Sequence, residues 1–244
     1  MQHVDIAIVG GGIVGLTLAA ALKHSELSIA IVDKAVCYQT LDEKPTARVS
    51  AINQANIKAL QQFDVWSHLQ QDRANPYTDM HVWDKDSFGD IRFSCDEMGS
   101  DALGVIVENQ ALVNALSKSV EAQPNVELIT AGIDRVLAGP NQTMLMLDND
   151  DVLSCRLLVG ADGANSFVRK QAGLPITFKD YEHTAIVANI KTVEPHNNVA
   201  RQAFTPTGPL ALLPMSEPNV CSIVWSQTPE QANLLMALDD AAFC

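Results

Sequence analysis

Positive charge is scarce in this sequence. Sixteen Lys and Arg stand against 29 Asp and Glu, a formal net charge of −13. A chain this acidic has no general affinity for DNA, RNA or anionic lipid, so nucleic acid is not expected as a partner. Any phosphate must be held by local devices: backbone N–H groups, helix ends or single arginines. Long apolar runs are also missing. The nearest, Ile6 to Leu22, is broken by glycines and reads as strand, turn and helix rather than a bilayer span. No basic leader followed by an apolar stretch is visible at the start. Cysteines are few and unpaired: Cys37, Cys95, Cys155, Cys221 and Cys244 are odd in number and form no C-x-x-C. Reduced thiols in a cytoplasmic protein are expected, and no chemistry is assigned to them. Metal-ligand clusters are lacking too; His81, His183 and His196 read as surface or core histidines.

What is present begins at residue 4. Val4-Asp5-Ile6-Ala7-Ile8-Val9 reads as a buried parallel strand. Gly10-x-Gly12-x-x-Gly15 follows, then the helix former Leu16 to Leu22, then a second strand, Ser28 to Val32, ending at Asp33. Gly10 permits a tight turn, Gly12 lets the backbone approach a pyrophosphate, and Gly15 lets helix and strand pack closely. The helix N-terminus adds unpaired N–H groups and partial positive charge. Asp33 falls near the usual spacing for a carboxylate that hydrogen-bonds an adenosine ribose, and it would repel a 2′-phosphate. Strand, loop, helix, second strand and terminal acid together predict a dinucleotide site.

A polar loop follows, containing Pro45. Ser50 is placed as the cap of a helix running through Ile57, Leu60 and Phe63. Arg48 before it reads either as a phosphate contact or as a solvated side chain. Met80–Asp84 and Asp90–Ser94 read as a hairpin across Lys85–Gly89. Val105–Asn109, a helix carrying Leu112, Leu116 and Val120, and strands over Val126–Ile129, Ile133–Leu137 and Met144–Leu147 return to an α/β pattern. A turn precedes Val152-Leu153. Leu157-Leu158-Val159 then leads into a second glycine loop, Gly160-Ala161-Asp162-Gly163-Ala164-Asn165-Ser166. After Pro175, candidate strands are Ala185–Lys191, Val199–Phe204, Leu210–Met215 and Cys221–Trp225, with a last helix from Pro229-Glu230. The expectation is an α/β nucleotide-binding domain (1–78 and 105–178) interleaved with a mainly antiparallel β-sheet domain (79–104 and 179–244).

Three motifs in this order, the N-terminal GxGxxG, Arg48-x-Ser50, and Gly160 to Ser166 with Arg169, resemble the class A flavoprotein aromatic hydroxylases. The segments WDKDSFG (83–89), IVEN (106–109), EPHNNVARQ (194–202) and NVCSIVWS (219–226) resemble the ubiquinone-biosynthesis branch, in particular the 2-polyprenylphenol hydroxylases that act at ring C5. The resemblance implies a Rossmann-like FAD-binding domain of the glutathione-reductase and p-hydroxybenzoate-hydroxylase type beside a substrate domain. It implies FAD as cofactor and NAD(P)H as co-substrate. It assigns Gly10, Gly12 and Gly15 to the FAD pyrophosphate, Asp33 to the ribose, Arg48 to the phosphates and Asn109 to the ribityl side, where many relatives have Arg or Gln. Asp162 and Gly163 fall in a motif serving both FAD and NAD(P)H, braced by Arg169. It also implies hydroxylation of a polyprenylphenol through a flavin C4a-hydroperoxide, in an apolar pocket for which Leu210–Met215 is either a wall or ordinary core strand. No general base is identified. A flavin-dependent reductase of the same fold and a non-catalytic, cofactor-free piece remain alternatives. Association with the inner-membrane surface or with a ubiquinone-pathway complex stays open. The family's later Gly-Asp motif is not found; Asp239-Asp240 lacks the preceding strand and glycine. The chain is therefore expected to be an N-terminal portion that holds FAD poorly and lacks hydroxylase activity.

Overall fold

The computed structural model describes residues 1–35 and 38–243. Cys37 and Cys244, two of the cysteines expected to be reduced, lie outside the described residues. In chain order the strands are β1 (Gln2–Val9), β2 (Ile29–Asp33), β3 (Val49–Asn53), β4 (Ala74–Tyr77), β5 (Asp79–Asp84), β6 (Asp90–Ser94), β7 (Gly104–Glu108), β8 (Val126–Thr130), β9 (Ile133–Ala138), β10 (Thr143–Leu147), β11 (Val152–Gly160), β12 (Thr184–Lys191), β13 (Val199–Thr205), β14 (Gly208–Pro214) and β15 (Val220–Gln227). The helices are α1 (Ile13–Ala21), α2 (Gln54–Gln62), α3 (Asn109–Glu121), α4 (Phe167–Gln171), α5 (Pro229–Met236) and α6 (Asp240–Phe243).

Two compact units result. The first comprises Met1–Leu41, Lys58–Leu69 and Gln110–Thr177. Its sheet runs β8-β2-β1-β11-β10-β9, with the first four strands parallel and β9 and β10 added antiparallel. Val4, Ala7, Ala30, Val32, Leu145, Leu153 and Cys155 form its sheet core. Leu112 and Leu116 of α3 are also buried. Removing each leucine side chain from water contributes about 1.5–3 kcal/mol. Burial pushes the Cys155 thiol up, so this cysteine packs as a small hydrophobe. The sequence reading divides β11 around Ser154-Cys155-Arg156. In the fold it is one strand, paired with β1 from Gln2↔Leu153 to Val9↔Gly160.

The second unit comprises Asp42–Ile57, Gln70–Asn109 and Phe178–Cys244. It contains a six-stranded sheet, β12-β15-β14-β13-β5-β6, and a three-stranded one, β3-β7-β4. Four of the larger sheet's pairings are antiparallel; β13 and β5 run parallel. Tyr77, Ile106, Ala200 and Met215 form its core, with Met80 and Leu213 packed against them. This division differs from the one read from sequence at 42–57, 70–78, 105–109 and 178. The first three stretches carry β3, β4 and most of β7, and Val49, Tyr77 and Ile106 of those strands pack with Ala200 and Met215, which draws them into the second unit.

One local reading is corrected. Ser50 caps no helix: it lies in β3, opposite Val107 of β7. The side-chain acceptor before α2 is Asn53, whose Oδ1 takes the Asn56 N–H at 2.9 Å. Val49 and Ile52 are β-branched and pair well in a strand, which shifts the helix start to Gln54.

Candidate functional site

The carboxyl ends of β1, β2, β8 and β11 gather at one edge of the parallel sheet, the usual place for a ligand in such a fold. A cavity of about 500 Å³ opens there, lined by Gly10, Gly12, Asp33, Lys34, Gly132, Ala161, Asp162 and Asn165 among others. The β1–β11 register brings the two glycine loops together, because Val9 pairs with Gly160 and the Ala161 N–H donates to the Val9 carbonyl at 2.7 Å.

Each glycine of the first loop has its own reason. Gly10 has φ +110°, and an added Cβ would overlap the Ala161 carbonyl and lie 2.9 Å from the Asp162 nitrogen. Gly15 sits in the first turn of α1, where a Cβ would overlap the Gly10 carbonyl. Gly12 is different. Its backbone is extended, at φ −82° and ψ −174°, and a Cβ there meets nothing within 4 Å. No protein packing explains that glycine, whereas a ligand pressed against the N-terminus of α1 would. Asp33 lies against the same loop: its Oδ2 accepts from the Gly11 N–H at 2.6 Å and its Oδ1 from the Ala35 N–H at 3.0 Å.

The second loop is organised by its own aspartate. Asp162 Oδ1 accepts from the Ser166 hydroxyl at 2.5 Å, and Oδ2 accepts from the Phe167 and Val168 N–H groups at 2.6 and 3.2 Å. Burial alone would raise this carboxyl. The bonds from Ser166, from the Val168 N–H, from its own N–H and from the Phe167 N–H outweigh that, holding it below the ordinary aspartate range. Gly163 takes the left-handed region, φ +84°. Arg169 Nη1 donates to the Ala164 carbonyl at 3.0 Å, tying the loop to α4.

Arg48 and Asn109 lie in the second unit and are neighbours there. The Asn109 N–H donates to the Arg48 carbonyl at 3.0 Å, and the Ser50 hydroxyl donates to Asn109 Oδ1 at 2.7 Å. The Arg48 side chain is exposed and has no polar partner among the described residues. Leu213 and Met215, at the end of the proposed Leu210–Met215 wall, belong to the second unit's core. His196 is a core histidine whose Nε2 lies 2.9 Å from the Met215 carbonyl; His81 pairs with Asp90. No cluster able to hold a metal is found among the described residues. Sequence reasoning missed Lys34, Gly132 and Asn165 on the cavity wall. The signal for Gly132 was available, since it follows the carboxyl end of a strand.

A model of the FAD binding domain matches residues 3–236. The chain belongs to this FAD-binding family. Ubiquinone biosynthesis monooxygenase COQ6 of Drosophila melanogaster is 37% identical over 257 residues, covering 99% of this chain and 53% of that protein. The 3-demethoxyubiquinol 3-hydroxylase of Escherichia coli K12 is 32% identical over 242 residues, covering 98% of this chain and 61% of that one. The chain thus spans between half and two thirds of the length of these relatives. Among solved structures, Pseudomonas aeruginosa PqsL in complex with 2-aminobenzoylacetate superimposes with a TM-score of 0.80 at 19% identity, covering 97% of this chain and 64% of that one. The p-nitrophenol 4-monooxygenase of Pseudomonas putida gives 0.75 at 15%, covering 99% and 60%. At such identities the likeness shows the fold, which is the FAD-binding monooxygenase fold with its two kinds of sheet. For this family the open space at Gly12 has a natural meaning: the residues around the cavity fit a dinucleotide.

Proposed function

We propose that the full-length protein is an FAD-dependent monooxygenase that hydroxylates the ring of a polyprenylated phenol in ubiquinone biosynthesis, at C5, consuming NAD(P)H and O₂ and releasing water. The observation that carries the cofactor half of this reading is the cavity at the sheet edge, where Gly12 leaves open the one approach that packing does not require. The names of the 30–40% identical relatives support the substrate half. When bound, FAD would supply the redox chemistry, accepting electrons from NAD(P)H and passing them to O₂.

The residues of this chain have narrower tasks. The Gly10–Gly15 loop would hold the pyrophosphate through the N–H groups from Gly12 onward at the start of α1, the Gly10 and Gly11 N–H groups being taken by the Val32 carbonyl and Asp33, and Asp33 would hold the adenosine ribose. Asp33 also disfavours a 2′-phosphate at that position. Asp162, kept ionised by its hydrogen bonds, holds the Gly160–Ser166 loop in shape beside Gly10, with Arg169 bracing its far side. Arg48 would offer charge to the phosphates and Asn109 a polar contact to the ribityl side. The apolar residues of β14 would serve the task of excluding water from the reaction.

The test is product analysis with the full-length protein. NAD(P)H oxidation should require both O₂ and a prenylphenol, and the product should carry one added oxygen. Turnover that persists without O₂ would assign a reductase instead.

A further inference from the structure

A second cavity, of about 340 Å³, lies within the first unit, lined by Lys23, His24, Asp64, His68, Ser119 and Gln123 among others. Three helices end around it. Lys23 and His24 follow α1, Asp64 and His68 follow α2, and Ser119 and Gln123 stand in and just beyond the last turn of α3. From here the chain enters β2 and β8, so this cavity is at the amino ends of the parallel strands. The cavity beside Gly12 is at their carboxyl ends.

The floor is polar and unpaired. Gln123 is 8% exposed, yet neither Nε2 nor Oε1 of its amide has a hydrogen-bond partner among the described residues. A buried polar group left without a partner costs about 1–3 kcal/mol, and an apolar side chain of the same bulk would avoid that cost. The hydroxyls nearby are already committed. Ser119 donates to the Phe63 carbonyl at 3.0 Å and Ser25 to the Leu22 carbonyl at 2.7 Å, which caps two carbonyls at the helix ends.

The charged and titratable groups that line the cavity are Lys23, His24, Asp64 and His68. Three bases against one acid reverse the balance of the whole chain. The Lys23 ammonium is ion-paired with Asp64, and the two imidazoles are exposed at the mouth. The hydrogen bond from Lys23, then its charge, hold the Asp64 carboxyl below the ordinary aspartate range, and His24 and His68 add to this, so all three bases act on one spot.

An unpaired amide offers a donor and an acceptor side by side. Sulfate or a carboxylate brings acceptors only, and an ammonium brings donors only. A phosphate that retains a proton brings both, and its negative charge suits Lys23 and the imidazoles. We propose that this cavity binds such a phosphate, as the inorganic ion or as a monoester, with the Gln123 amide meeting its P–OH and one oxygen and Lys23, His24 and His68 meeting the others. The proposal does not depend on the FAD reading.

The test is a titration of the 244-residue chain with inorganic phosphate at constant ionic strength, followed by NMR of the histidine rings. It is run at about pH 6, where a monoester keeps its proton on about half its molecules and an ordinary imidazole is mostly charged. The His24 and His68 signals, assigned by substitution, should shift saturably. Gln123→Leu should weaken phosphate at least about tenfold, the loss of hydrogen bonds to a charged group, with a thermal midpoint no lower than that of the unaltered chain. His68→Gln alters only an exposed ring, so its folding is not at stake; it should weaken phosphate about three- to tenfold, read at His24. Gly12→Val should leave the shifts in place, because Gly12 belongs to the other cavity. Glycerol phosphate is titrated in parallel: tighter binding than inorganic phosphate would name the ester as the natural source, weaker binding the free ion, and either supports the site. Absence of a saturable shift would mean that water alone meets the amide, and would overturn the proposal. Unchanged affinity in Gln123→Leu or in His68→Gln would overturn it, as would sulfate binding as tightly as phosphate or loss of the shifts in Gly12→Val.

Discussion

At the scale of single residues, the two glycines Gly10 and Gly12 separate folding from binding. Gly10 has φ +110° and faces the Ala161 backbone. Gly10→Ala should therefore destabilise the fold, by about 1–3 kcal/mol from backbone strain and more from the overlap, seen as a lower denaturation midpoint. At Gly12 an added Cβ meets no protein atom within 4 Å, so Gly12→Val starts into open space. It should lower stability by no more than about 1 kcal/mol, through a poorer helix cap, yet abolish measurable FAD binding in a fluorescence titration because its branch fills the ligand's approach. Stoichiometric flavin in the Gly12→Val protein would refute the loop assignment. Asp162 gives a pH signature. Its folded-state pKa lies below the ordinary 3.8. The stabilisation it provides is thus fully present above that value and is lost as pH falls from it through the lower folded-state value. Asp162→Asn should show a constant stability deficit between about pH 7 and 5, closing only below about pH 4, in urea denaturation at stepped pH.

At the scale of elements, α3 shows what a strong pattern secures. Leu112, Leu116 and Val120 recur at helical spacing, and all three are buried. Leu116→Ala should cost about 2–5 kcal/mol, read as a shift in urea midpoint without loss of the native fold's spectrum. The same clarity of pattern made β1, α1 and β2 legible, since a continuous apolar run, a glycine turn and a terminal acid carry their meaning locally. β3 and β4 were not legible. Val49–Asn53 contains Ser50 and Asn53, which favour caps and turns as readily as strands. Ala74–Tyr77 contains Pro76, which a strand accepts only where no ladder donor is needed; β4 is an edge strand, pairing with β7 on one side only. The resemblance assigns both glycine loops to one FAD, but the pairing that brings them together was not legible. It follows from the register of β1 against a strand 150 residues later, and the residues that set it, such as Cys155 opposite Val4, look unremarkable in sequence.

At the scale of the whole molecule, charge and the proposed substrate pull in opposite directions. A polyprenylated phenol resides in membranes, but a chain with 29 acidic and 16 basic residues is repelled by an anionic surface. A basic residue near such a surface contributes about 1 kcal/mol of attraction, and here acids outnumber bases. No helix among the described residues is long and apolar enough to cross a bilayer. Attachment of this chain to lipid would have to be apolar, and its most exposed aromatic, Phe88 in the β5–β6 turn, is flanked by Asp84, Asp86 and Asp90. Sedimentation with vesicles should therefore be no greater for phosphatidylcholine containing phosphatidylserine than for phosphatidylcholine alone, and any binding to the mixed vesicles should rise, not fall, as salt screens the repulsion. Binding that strengthens with phosphatidylserine content at low salt would point instead to a local basic surface that outweighs the net charge. The sign of the salt effect decides the matter, because screening weakens an electrostatic attraction and relieves a repulsion, while apolar contact is little affected.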